Sequence, residues 1–131
     1  MKPLTKTRFK LGLECPNKLY FTSKKEYANQ SLDDSFLQAL AKGGFQVEAL
    51  ARLHYPKGIF IDTQNYEYDL ATDLTQEQLT KDAISIYEAA FEHNGLFIRT
   101  DILSKKESHI KLIEVKAKSF DPNDEFLFIG K

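Results

Sequence analysis

The chain has 131 residues, enough for one ordinary domain with a single core and too few for two. With 42% hydrophobic and 28% charged residues it reads as a soluble globular protein, which excludes the disordered, fibrous and disulfide-rich classes. Its 18 Lys and Arg face 19 Asp and Glu, a formal charge of −1, so any surface that binds phosphate must come from local clustering. Cys15 is the single cysteine, so no internal disulfide forms, and no Cys/His spacing suits a structural zinc. The first residues lack the apolar stretch of a signal peptide and no later run is long enough to cross a bilayer, so the expected location is the cytoplasm, with no membrane partner.

The opening stretch interleaves cations with apolar residues, and a helix starting near Thr5 puts Phe9 and Leu13 on one stripe. Pro16 ends or resets it. A short turn from Asn17 to Phe21 is then expected to carry Leu19, Tyr20 and Phe21 into the core. The polar segment from Ser23 to Asp34 reads as a loop feeding a helix capped near Asp33 or Asp34. From Phe36 to Leu53 the apolar positions follow a helical stripe, interrupted by Gly43-Gly44, which either split the helix or allow a close backbone approach. Gly58 to Asp62 reads as a strand after Pro56, and Thr72 to Lys81 as a helix in which Thr75 and Gln78 are spaced like a capping box.

Three strand-like runs follow, Ala83 to Phe91, Leu96 to Leu103 and His109 to Ala117. The turn signals His93-Asn94-Gly95 and Ser104 to Ser108 separate them, and the simplest arrangement is a three-stranded antiparallel meander. In the last run Glu114 and Lys116 are two apart, hence on one face, shared with Ile110 and Leu112. A carboxylate and an ammonium among apolar neighbours lose hydration unless they pair or coordinate something. If the hairpin closes around Glu107-Ser108, Asp101 falls opposite Glu114 on the same side of the sheet. Two such carboxylates repel, and together with a main-chain carbonyl they suit a hard cation, Mg2+ or Mn2+. Lys116 is then placed to hold or deprotonate a water and to counter a phosphate charge. The same spacing equally describes a solvated cross-strand ion pair between Lys116 and Asp101 or Glu114.

Asp101, the hairpin and Glu114-Val115-Lys116 together resemble the motif of PD-(D/E)XK nucleases, with Thr100 where the motif's name has Pro. Leu4 to Phe9 followed by Cys15 to Tyr20 is similar to the opening of the RecB-like branch. Ile86 to Phe91, Arg99 to Leu103 and Ile113 to Lys116 resemble a little-characterised bacterial family of that group. The resemblance runs from about Leu4 to Lys118. It implies an α/β, restriction-endonuclease-like core: a small mixed sheet with an antiparallel meander, flanked by helices, the helix from Asp34 to Leu53 packed on one face.

The function it implies is metal-dependent hydrolysis of DNA. Asp101 and Glu114 hold Mg2+ or Mn2+ with the Val115 carbonyl as a further ligand, Lys116 orients the attacking water, and Glu48 matches the helix residue that completes the metal shell. Lys6, Arg8, Lys10 and Lys118 are the candidate contacts to the DNA backbone. Some relatives bind an iron–sulfur cluster through one early and three late cysteines; Cys15 matches the early one alone, so no cluster is expected within this chain. The branch also has a helix beyond the Glu-x-Lys strand, whereas this chain stops at Lys131. Residues 1–131 are therefore expected to be one domain, truncated at its carboxy terminus as the front part of a longer protein, with Phe126 to Ile129 as an apolar run suited to self-association. The alternative is a catalytically incomplete domain that keeps the fold and binds nucleic acid or a protein partner without cleavage.

Overall fold

Alternating β-branched and aromatic residues on both sides of Asn94-Gly95 make the centre of the molecule a long hairpin. A computed structural model describes residues 3–22, 24, 26–27 and 34–117. In it β3 (Ala83–His93) and β4 (Leu96–Lys106) pair antiparallel along almost their whole length. Asn94 (φ 50°) and Gly95 (φ 77°) both take the left-handed conformation that a two-residue hairpin loop requires. A second turn at Glu107 and Ser108, with Glu107 at φ 54°, returns the chain as β5 (His109–Ile113), completing the expected meander.

Two short parallel strands finish a five-stranded mixed sheet. β1 (Leu4–Thr5) lies along Leu96 and Phe97, and β2 (Ile59–Phe60) along Ile86 and Tyr87. β3 covers one edge of β4, so β1 and β5 share its other edge, β1 at residues 96–97 and β5 at 102–106. Residues 98–101 of β4 lie between them with no strand partner on that side. The candidate site opens at this gap.

The core forms where α4 (Tyr68–Leu79) packs on the sheet and joins Ala71 to Ile61, Ile86, Ala89, Ala90, Phe97 and Leu103. Thr75 corrects the expected capping box: it sits in mid-helix, fully buried, donating to the Ala71 carbonyl and accepting from the Ala90 N–H at 2.9 Å. The helix starts earlier than the pattern suggests, at Tyr68, whose ring meets Phe97 edge-on at 4.8 Å. Lys105 closes the other end by donating to the Leu79 carbonyl at 2.6 Å.

α1 (Lys6–Glu14) begins as expected, with Thr5 as its cap accepting from the Arg8 N–H. α2 (Pro16–Thr22) follows at once. Tyr20 and Phe21 are exposed there, not in the core, because α2 packs on α1 and not on the sheet. α3 (Ser35–Arg52) is capped by Asp34, which accepts from Phe36 N–H and Leu37 N–H. It runs unbroken through Gly43-Gly44, and a Cβ at either glycine would meet nothing within 4 Å. The expectation that this helix packs on one face of the sheet is corrected: α3 buries no residue, and Phe36, Leu40, Phe45 and Leu50 are exposed.

Its carboxy-terminal end is what meets the sheet. Arg52 lies over the rings of Phe60 and Tyr87, and the Tyr87 hydroxyl donates to the Tyr55 carbonyl. Gly58 makes room for this contact, since a Cβ there would fall 2.2 Å from the Tyr87 ring. The result is a small α/β domain with a mixed sheet flanked by helices. Among the described residues no helix is long and apolar enough to cross a membrane.

Candidate functional site

The register of β4 and β5 ends with Ile102 facing Ile113, so the next step places Asp101 across from Glu114. β5 stops at Ile113, and Glu114 to Ala117 continue without strand pairing, which corrects the expectation that the strand runs to Ala117. The departure has a visible cause. Asp101 Oδ2 accepts the Val115 N–H at 2.6 Å, so a side chain takes the place of the ladder's next backbone acceptor.

Glu114 points one oxygen at two ammonium groups. Lys6 Nζ, from the first turn of α1, lies 2.6 Å from Oε1, and Lys116 Nζ bonds the same atom. These lysines, Lys116 first, hold the Glu114 carboxyl below the usual carboxylate range, and Glu114 raises the Lys116 ammonium above its ordinary value, with a smaller contribution from Asp101. All three side chains are well exposed, so the pairing adds little to stability. Asp101, Lys6 and Thr5 line a cavity of about 480 Å3 together with Asn65, Tyr68 and Arg99. The gap in the sheet therefore brings together Asp101, Glu114, Lys116 and Lys6.

Glu48 lies elsewhere. It bonds Arg52 within α3 and lines a second cavity of about 400 Å3 with Arg52, Asp62, Thr63 and Glu88. Asn65 and Arg99 border both cavities. Of the other candidate phosphate contacts, Arg8 is half-buried against Pro16, Leu19 and Tyr20, and Lys10 is exposed on α1. Lys118 and the run Phe126 to Ile129 lie outside the described residues.

Glu88 is the site residue that sequence reasoning missed. Pairing on either side, Ala89 with Thr100 and Tyr87 with Ile102, puts Glu88 across from Asp101, yet this rung is missing because Glu88 adopts φ 59°. A non-glycine residue in that region is strained and held by its surroundings, a pattern concentrated at functional sites. Burial, then the neighbouring Glu48, pushes its carboxyl up to about 7, against the opposing pull of Arg99 and Arg52, the latter 3.9 Å away. The available signal was one acid inside the otherwise apolar run Ile86 to Phe91.

Glu88, Asp101 and Glu114 thus occupy successive positions across β3, β4 and the exit of β5. Among the described residues no three His, Cys, Asp or Glu side chains close into a ready metal cage. The donors at Asp101 and Glu114 are carboxylate oxygens, the type that suits a hard cation, and at Glu114 one of them is taken by Lys6 and Lys116. No family model matches the chain, and no curated protein or solved structure does either.

Proposed function

We propose that the chain carries the metal-binding core of a DNA nuclease of the RecB-like, PD-(D/E)XK type, with a restriction-endonuclease-like fold. The observation that supports this most is the meeting of Asp101, Glu114 and Lys116 at a gap in the sheet, with a cavity beside it. Asp101 and Glu114 would hold Mg2+ or Mn2+, with the Val115 carbonyl as a further oxygen donor, while Glu48, bonded to Arg52 in the neighbouring cavity, is not brought to them. When bound, such an ion polarises a phosphoryl oxygen and makes water easier to deprotonate.

The remaining roles follow from charge. Lys116, whose ammonium form Glu114 favours, is placed to orient water and to balance phosphate charge. Lys6 bonds the same Glu114 oxygen as Lys116 and lines the cavity, where it can contact the phosphate, and Lys10, one turn further along α1, can extend that basic surface.

A second reading, a domain that binds nucleic acid or a protein partner without cutting, is favoured by one feature: Lys6 and Lys116 both pair with Glu114, through the same oxygen. Thermal melts separate the two. On the nuclease reading Mn2+ raises the melting temperature of the wild type, by about 2.7 kcal/mol of stability at a hundredfold excess over Kd. D101A and E114A lose that gain, and with it cleavage of a labelled DNA. A melting curve that Mg2+ and Mn2+ leave in place, with no cleavage, would sink the metal-dependent reading and leave the binding domain.

A further inference from the structure

Arg99 differs from the other cations around the site. Lys6 and Lys116 pair with Glu114, and Arg52 pairs with Glu48 and approaches Glu88. Arg99 is half-buried in the wall between the two cavities, and among the described residues no carboxylate comes within ion-pairing distance of it. Its Nη2 donates to the Thr63 hydroxyl at 2.6 Å, and its guanidinium lies 5.9 Å from the centre of the Phe97 ring. These contacts fix its orientation, and the carboxyl it acts on, Glu88, lies beyond ion-pairing distance and is pushed up to about 7. A guanidinium has five N–H donors in a rigid fork, and partial burial without a close ion pair costs hydration that an anionic ligand would restore.

The charge of each cavity decides where the anion belongs. The cavity of Glu48, Asp62 and Glu88 sets three acids against Arg52 and Arg99, whereas the cavity under α1 sets Lys6 and Arg99 against Asp101, with Glu114 at its edge shared by Lys6 and Lys116. Arg99 and Asp101 are two apart on β4 and so share a face. We propose that Arg99 is a binding residue for a phosphodiester of a nucleic-acid chain, which it holds in the cavity shared with Lys6, Asn65 and Asp101 beside the group to be cut. The identity of the anion as nucleic acid rests on the nuclease reading; the presence of an oxyanion site does not. A fork of donors suits a phosphate in two-point contact, which Lys cannot reproduce at the same position.

The test uses no divalent metal, so a missing cleavage or a missing metal-induced rise in melting bears on the nuclease reading alone. In the wild-type chain with chelator present, phenylglyoxal modifies exposed arginines, and peptide mass spectrometry reads the rate at Arg99. A short single-stranded oligodeoxynucleotide is expected to slow modification there by severalfold. Fluorescence anisotropy of the labelled oligonucleotide then compares R99Q and R99K with wild type, K42Q on the exposed part of α3 serving as the charge control. R99Q is expected to bind on the order of tenfold more weakly and to lower the salt slope by about 0.7, the loss of one phosphate contact. R99K should keep the slope and bind with intermediate affinity. The proposal is overturned if the oligonucleotide leaves the rate at Arg99 unchanged, or if R99Q matches K42Q in affinity and slope. Protection by inorganic phosphate but not by the oligonucleotide would also overturn it, as a site for free phosphate. The wild-type protection measurement stands even if R99Q does not fold.

Discussion

α4 and α3 are both amphipathic helices beside the same strand, β3, and they meet it in opposite ways. α4 buries Ala71 and Thr75 completely and is joined to β3 by the Thr75–Ala90 hydrogen bond. α3 is longer, 18 residues against 12, and more apolar in pattern, yet it buries no side chain and is held at its last turn by Arg52. Small residues on both sides mark the α4 contact. Ala71, Ala89 and Ala90 let α4 approach the sheet closely enough to fill the space with Ile61, Ile86 and Leu103. No equivalent close approach draws α3 down, and its end is fixed by charge and ring contacts around Glu88. One side of β3 is thus a packed core, and the other is a strained, ionisable position beside a cavity.

The largest break in this comparison should come from the packed side. I86A removes most of a fully buried side chain and is expected to cost about 3 kcal/mol by transfer and cavity terms, read by urea or thermal unfolding. T75V keeps the volume but leaves the Ala90 N–H without its acceptor, for a loss of about 1–3 kcal/mol in the same measurement.

The ionisable side is expected to respond to pH. Glu88 has its folded-state pKa raised from 4.5 to about 7, so between these values the folded chain holds a proton that the unfolded chain has released. Stability from this group is fully present below 4.5 and is lost as pH rises through 7. E88Q should flatten that slope and gain on the wild type at about pH 8, by on the order of 1 kcal/mol after allowing for solvent screening. Denaturation midpoints that show the same pH dependence in both proteins would dismiss Glu88 as the source. The smallest effect belongs to α3: L40A, exposed in mid-helix, should shift stability by less than about 0.5 kcal/mol. A loss as large as that of I86A would mean that α3 is covered in solution.

Much of the local structure was legible because it depends on local chemistry. Asn94-Gly95 fixes one hairpin loop, Asp34 caps α3, and Thr5 caps α1, each through backbone geometry or a bond reaching two or three residues. The pairing of Asp101 with Glu114 could be counted from the hairpin at Glu107, since antiparallel register is set by the turn. The capping box at Thr75 failed because its hydroxyl found a partner 15 positions away on β3, and a local pattern cannot register such a contact. The burial expected for Tyr20 and Phe21 failed because α2 packs on α1, and an apolar stripe does not say which surface will cover it.

The sequence by itself determined the strand order of the meander and the starts of α1 and α3, which follow from turn chemistry and capping, and it nominated Asp101, Glu114 and Lys116 through their spacing together with a family resemblance. Only the tertiary structure decided that β1 and β5 share one edge of β4 and leave residues 98–101 open between them, because that depends on a parallel pairing across about 90 residues. The same long-range closure brings Lys6 to Glu114, sets Glu88 across from Asp101 in a strained conformation, and leaves Arg99 half-buried with no carboxylate among the described residues within ion-pairing distance. Charge and burial at a site are properties of the neighbours that folding supplies, and those neighbours come from four separate stretches of the chain.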